Sequence, residues 1–311
     1  MHLRLIVFAT CAVALFNAPL GAQKKAASKR PVAANKSPDM LPAQVLLDRA
    51  GFSAGEIDGA GGANTRQAIA AFERDKKTTI ADALAAAAEP ATISYTISAE
   101  DESAPKTPTI PEDMMEKAKL KRLEYKTMLE MLGERFHASP ALLTKLNPAA
   151  RFVAGEQITV PNVQEVSAAE GKAVPNITVK VSKSASTLTV IDASGAVLMH
   201  APVTSGSKHD PLPIGPWTVT AVVRNPTFNY NPDLFWDADP SHAKAKVPAG
   251  PNGPVGVVWI DISKPHYGIH GTPEPGTVGH TSSHGCVRLT NWDALKLAAM
   301  VGKGTKVEFT E

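Results

Sequence analysis

The stretch Gly268-Ile269-His270-Gly271, followed after a polar, Gly/Pro-rich loop by Ser283-His284-Gly285-Cys286-Val287-Arg288-Leu289, decides how this chain is read. Cys286 is one of two cysteines, and the other, Cys11, lies in an apolar N-terminal run. One thiol near two histidines, with glycines beside each, has the parts of a cysteine nucleophile site. A thiol attacks an acyl carbon only as thiolate, and a free cysteine titrates at about 8.5, so it needs a base or a cationic neighbour. His270, ending an expected strand, is the candidate base and later acid. A carbonyl suffices to hold its second nitrogen, and Gly271 can supply one. His284 shares the thiol's face if the segment is extended, or organises the loop if it turns sharply. The amides of Gly285 and Cys286 are candidate oxyanion donors. The planar fork of Arg288 suits a substrate carboxylate.

Zinc uses the same ligand types, and Cys286, His284, His280 and His270 include several of them. No Cys-x-x-Cys or His-x-x-x-His pairing accompanies them, so a nucleophile site without metal or cofactor is the expectation. His266 and His280 are expected on the rim, and Trp259, Trp236 and Phe235 in core or lid packing.

His2 and Arg4 precede an apolar run from Leu5 to Phe16 and small residues up to Ala22. That is the form of a secretory signal peptide, residues 1–22, and the run falls short of the roughly 20 residues of a membrane span. The expectation is an exported protein, in the periplasm or on the cell wall, with no stable membrane span once the leader is removed. The mature chain would then carry one thiol in an oxidising compartment with no internal disulfide partner, and such a thiol needs a reason to be there. A formal net charge of +2 makes no case for nucleic acid as a partner.

The rest of the chain reads as a multidomain protein. Residues 23–39 are Lys/Ala/Ser/Pro-rich, a flexible tether. Residues 40–80 read as a small helical module. Gly51 follows a first helix, and Asn64 or Thr65 is expected to cap a second that buries Ala68, Ile69 and Phe72. Residues 81–119, including a β-like Thr92–Ile97 segment, are taken as linker. Residues 120–163 show two apolar sets at helical spacing, a stop at Asn147-Pro148 and a short strand ending at Pro161. His137 is expected on the surface of this small α+β unit. Residues 176–310 are dominated by strand signals, with a hairpin turning at Asp192–Gly195. One helix there starts at Thr290 or Asn291 and buries Ala294, Leu297, Ala298 and Val301. The fold class expected for this part is mainly β. Asn225 to Gly253 lacks a clear period and is expected as a flap.

Three resemblances accompany this reading. The pattern Gly-Phe-x-x-Gly-x-Ile-Asp-Gly from Gly51, followed by Thr-Arg-x-Ala-Ile-x-x-Phe from Thr65, resembles the helical peptidoglycan-binding domain of wall enzymes. Leu-x-x-Leu-Asn-Pro ending at Pro148 and Gly-x-x-Ile-x-Val-Pro ending at Pro161 are similar to a LysM unit, although the usual Gly-Asp-Thr loop is missing. His270-Gly271 and Ser283-His284-Gly285-Cys286 with Arg288 resemble the signature of YkuD-type L,D-transpeptidases. That similarity runs from Pro202–Gly206 and Pro213–Pro216 to Gly304–Val307. It implies Cys286 as the acylated nucleophile, His270 as its base and Gly271 as the orienting carbonyl, with His284 and Arg288 in support.

The implied reaction is ping-pong acyl transfer. A tetrapeptide stem of peptidoglycan acylates the thiol and loses D-alanine, and an amine of a second stem takes the acyl group to give a 3–3 cross-link. A lipoprotein lysine, a free D-amino acid or water are the other acceptors. A hydrolase of the same family and an inactive wall-binding protein are the alternatives.

Overall fold

The computed structural model describes residues 39–166 and 171–311. The expected leader, and the tether up to residue 38, lie outside the described residues. Among the described residues no helix is long and apolar enough to cross a membrane.

The front of the described chain is helical. α1 (Leu41–Arg49) ends at Ala50, and Gly51 beyond it takes φ +83°, the left-handed conformation a glycine adopts without penalty. α2 (Ala63–Lys76) packs Ala68, Ala71 and Phe72 against Leu47 and Phe52. Its N-cap is Gly62 rather than Asn64 or Thr65. The Asn64 amide instead donates to the Val278 carbonyl at 2.9 Å, and the Thr65 hydroxyl is taken by Gln44 and Ala60. α3 (Ile80–Ala86) starts at an N-cap from Thr79.

Residues 81–119 are not a plain linker. They carry most of α3, then β1 (Thr92–Thr96), α4 (Ala99–Ser103) and α5 (Met114–Lys117). α6 (Met128–Arg135), α7 (Pro140–Leu146) and β2 (Gln157–Pro161) follow. β1 pairs antiparallel with β2, from Thr92 opposite Pro161 to Thr96 opposite Gln157. Leu132, Leu143, Ile158 and Val160 close a core with Ile97 under that pair. Asn147 ends α7 and ties it to β2 through both ends of its amide, accepting from Thr159 N–H and donating to Thr159 O at 2.7 Å each. His137, expected on the surface, is 1% exposed, takes φ +54°, and donates to Asp48 from α1 across 3.0 Å. An Asp partner from another module draws it inward, a contact no local pattern announces.

The remaining elements form the mainly-β part. In chain order they are β3 (Thr178–Ser182), β4 (Thr187–Ile191), β5 (Val197–Pro202), β6 (Thr204–Ser205), β7 (Gly215–Arg224), β8 (Phe228–Tyr230), β9 (Ala245–Val247), β10 (Val258–Ile262), β11 (Gly268–His270), β12 (Val287–Arg288), α8 (Asn291–Met300) and β13 (Lys306–Thr310). Nine of these strands make one sheet in the order β5-β4-β3-β13-β7-β10-β11-β12-β6. Val179, Val181, Leu188, Val190 and Val307 are fully buried. Each such aliphatic contributes roughly 1.5–3 kcal/mol, and a slip of one residue would turn the whole set outward, so register is fixed. α8, N-capped by Thr290, packs Ala294, Leu297 and Ala298 into the same core.

Asn225–Gly253, expected as an unpatterned flap, contains the hairpin β8–β9. Tyr230 and Val247 form a small core with Leu123. The front helices join the sheet at its β5 edge. Phe52 bridges His200 in parallel, with Ser53 N–H donating to His200 O and His200 N–H to Gly51 O, each at 2.8 Å.

Candidate active site

β11 and β12 run parallel, with Ile269 opposite Val287 and His270 opposite Arg288. Side chains alternate along a strand, so Ile269 and Val287, both fully buried, point to the core. His270 and Arg288 face the other way, and one step back the same register sets Gly268 beside Cys286. The tripeptide Gly-Ile-His and the segment Cys-Val-Arg thus bring imidazole, thiol and guanidinium to one face. β6 closes the far side, with Ser205 opposite Val287 and Thr204 opposite Arg288.

His270 is 4% exposed, and its Nδ1 lies 2.6 Å from Gly271 O. A carbonyl can only accept, so the proton sits on Nδ1 and Nε2 keeps its lone pair. The Trp259 indole stacks on the ring, centroids 5.5 Å apart and planes at 20°. Burial, helped by the nearby Arg288 charge and opposed by the Gly271 carbonyl, pushes the imidazole pKa down to about 3. Burial likewise pushes the Cys286 thiol up, with the Gly268 N–H and Arg288 pulling back. Both shifts run toward the uncharged forms, thiol and neutral imidazole. Cys286 is half-buried, with Sγ 3.9 Å from His266 O.

Ser283 braces the nucleophile segment. Its hydroxyl donates to Cys286 O at 2.6 Å and accepts from Gly206 N–H at 2.8 Å. Gly285 takes φ +96°, and a Cβ there would meet Tyr267 Cε1 at 2.5 Å, so glycine is required twice over. The turn at Gly285 settles the two options for His284. Its Nε2 lies 2.8 Å from Asp237 Oδ1 in the β8–β9 loop, with Phe235 edge-on at 5.2 Å, so it ties the nucleophile loop to that loop. The N–H groups of Gly285 and Cys286 have no acceptor among the described residues. His266, whose carbonyl faces Cys286 Sγ, and His280, which lies beside Glu56 and Asn64 of the front module, are both exposed.

Several site residues escape a sequence reading. Trp259, expected in core or lid, instead walls His270 and fills the space a Gly268 side chain would need. Asn291, read only as a helix start, sets its Oδ1 2.2 Å from where a Gly271 Cβ would stand. The one available signal was Gly271 itself. Trp236 is 60% exposed and stacks on His209 at 4.3 Å.

A thiol and an imidazole on neighbouring strands, the imidazole with one nitrogen fixed by a carbonyl, are the parts of a cysteine acyltransferase site. Residues 176–309 match the YkuD domain, the L,D-transpeptidase catalytic domain. The chain is 30% identical over 181 residues to "Putative L,D-transpeptidase YkuD" of Bacillus subtilis, covering 58% of this chain and 91% of that one. It is 45% identical over 67 residues to "Probable L,D-transpeptidase YbiS" of Escherichia coli, 22% of each chain. An L,D-transpeptidase structure from Mycobacterium smegmatis aligns over 51% of this chain and 64% of that one, at 21% identity and TM-score 0.36. The chain belongs to the YkuD family of L,D-transpeptidases.

Proposed function

We propose that this protein is an exported peptidoglycan L,D-transpeptidase in which Cys286 is the acylated residue. The observation that carries the reading is the Nδ1–H of His270 donated to Gly271 O at 2.6 Å, which leaves Nε2 free on the face that Cys286 shares. The thiol gives its proton to Nε2 as Sγ attacks the carbonyl joining diaminopimelate to the terminal D-alanine of a tetrapeptide stem. The N–H groups of Gly285 and Cys286 stabilise the resulting oxyanion. D-Alanine leaves with the proton returned by Nε2, and a thioester remains. An acceptor amine then attacks, its proton passes to Nε2 and back to sulfur, and an amide is formed. Arg288 binds a stem carboxylate, and the Phe235–Asp237 loop covers the bound peptide. The front modules serve as wall-facing parts of the same molecule, and a lipoprotein lysine is a further acceptor for the same thioester.

The test is incubation of the wild type and Cys286→Ala with disaccharide-tetrapeptide. Cross-linked dimers that appear only with the wild type, and a mass adduct on Cys286 after carbapenem treatment, are the expected results. Cleaved material without dimers would indicate hydrolysis instead. No adduct and no product would leave a wall-binding protein.

A further inference from the structure

α8 follows the nucleophile segment directly, and its first turns are gripped from outside the catalytic sheet. Asn291 donates Nδ2–H to Glu134 Oε1 of α6 at 3.1 Å. Asp293 accepts from Ser53 at 2.8 Å, and Lys296 reaches Asp48 at 3.0 Å. The Trp292 indole is covered by His137. Among these, Asn291 is the pivot. Its Nδ2 also donates to Pro251 O at 3.2 Å, and its Oδ1 accepts from Val257 N–H at 3.2 Å. The same Oδ1 occupies the place of a Gly271 side chain. Gly271 in turn holds the Nδ1 proton of His270.

We propose that Glu134 is a positioning residue for His270, acting through the Asn291 amide and the Gly271 peptide that this amide braces. A carboxamide can turn over and exchange its oxygen for its nitrogen. With Glu134 accepting from Nδ2, Oδ1 is directed at Val257 N–H and against Gly271. Without that acceptor only Pro251 O holds Nδ2, the amide rocks, and the Gly271 carbonyl no longer has one place to offer Nδ1–H. Outer-shell partners of this kind set the orientation of a working imidazole. Burial, with Glu130 and Glu56 adding to it and the Asn291 hydrogen bond opposing, raises the Glu134 carboxyl to about 8. Oε1 is the acceptor for Asn291 Nδ2–H, and glutamine offers an acceptor oxygen in the same place. The role belongs to the module in front of the catalytic domain, which makes that module part of the catalytic apparatus.

The proposal rests on the function given above only where turnover is read. In the full chain, the wild type, Glu134→Ala and Glu134→Gln are compared for carbapenem acylation of Cys286, separating the limiting rate constant from the half-saturating concentration. In parallel, the His270 Nδ1–H resonance is followed in histidine-15N-labelled protein. Glu134→Ala is expected to slow limiting acylation by about tenfold with half-saturation within about twofold, and to shift or broaden the Nδ1–H signal. Glu134→Gln is expected to restore both. Wild-type rate and signal in Glu134→Ala, or a Gln variant as impaired as the Ala variant, overturns the proposal. If Glu134→Ala fails to fold, Glu134→Leu, which keeps the bulk and cannot accept, carries the same expectation. A wild type inert to carbapenem and stem peptide refutes the functional reading, and the Nδ1–H signal alone then decides the positioning role.

Discussion

The His137 imidazole lies flat on the Trp292 indole, ring centroids 5.2 Å apart and planes inclined by 11°, while its Nδ1 meets Asp48 Oδ2 at 3.0 Å. Three parts of the chain meet there: α1, the turn after α6, and the start of α8. Burial alone would raise the Asp48 carboxyl, but His137 and Lys296 outweigh it and hold the pKa at about 2. His137→Ala removes the stack and one of the two partners of a buried carboxylate. Breaking a buried pair costs roughly 3–5 kcal/mol, and because Lys296 remains we expect about 2–3 kcal/mol here. Thermal unfolding should fall by about 4–12 °C. A change under about 1 °C would show that the contact is not a structural tie.

His200 makes stability depend on pH. Burial, with the Arg74 charge adding to it, pushes its pKa down to about 4 from the ordinary 6.5. The unfolded chain binds this proton below about pH 6.5 while the folded chain refuses it until about pH 4, so stability drops as pH falls through that window. From pH 7 to pH 5 the loss from His200 is about 2 kcal/mol. Urea unfolding at the two pH values measures it. His200→Leu, which cannot titrate, should show a loss smaller by that amount.

Thiol reactivity should follow the proton inventory of the site. Burial raises the Cys286 thiol, and Arg288 works against that rise. Alkylation by iodoacetamide should therefore climb with pH through a midpoint above that of an ordinary cysteine. Arg288→Met should move the midpoint higher still and slow alkylation at pH 7. A midpoint below that of a free thiol would mean that the resting pair is thiolate and imidazolium.

Gly285→Ala tests the turn. A methyl group at φ +96° and 2.5 Å from Tyr267 cannot be placed without moving the nucleophile. A shift of about 1 Å at the reacting atoms costs up to ~10²-fold in rate. Acylation of Cys286 should fall by about that factor while far-ultraviolet circular dichroism stays the same. Retained activity would show that the turn tolerates adjustment.

The local chemistry was legible and the long-range pairing was not. Gly268–Gly271 and Ser283–Arg288 carry their roles in residue type and spacing, and the Thr290 cap with Ala294, Leu297 and Ala298 marks α8 in the sequence itself. The β-like Thr92–Ile97 segment is legible and becomes β1, but its partner β2 lies across α4 to α7, and pairing at that separation leaves no mark in periodicity. His137 was misplaced because its burial depends on Asp48 and Trp292, each remote in the chain. Asn64 looked like a cap because its type favours caps, but Val278 offered a carbonyl and Gly62 took the position. Glu134 and Asn291 carry no motif at all, and only the contact of Asn291 Oδ1 with Gly271 shows what they hold.

The seam at Phe52 and His200 also bears on how copies of this protein behave in concentrated solution. β5 is the outermost strand at its end of the sheet, and a bare outer strand is a template on which a neighbouring molecule can lay its own. Here the His200 amide and carbonyl are already engaged by Gly51 and Ser53, and the Val197 amide by Asp75. Loosening the front helices would uncover that ladder, so clumping, rather than loss of chemistry, should be the first symptom of damage there.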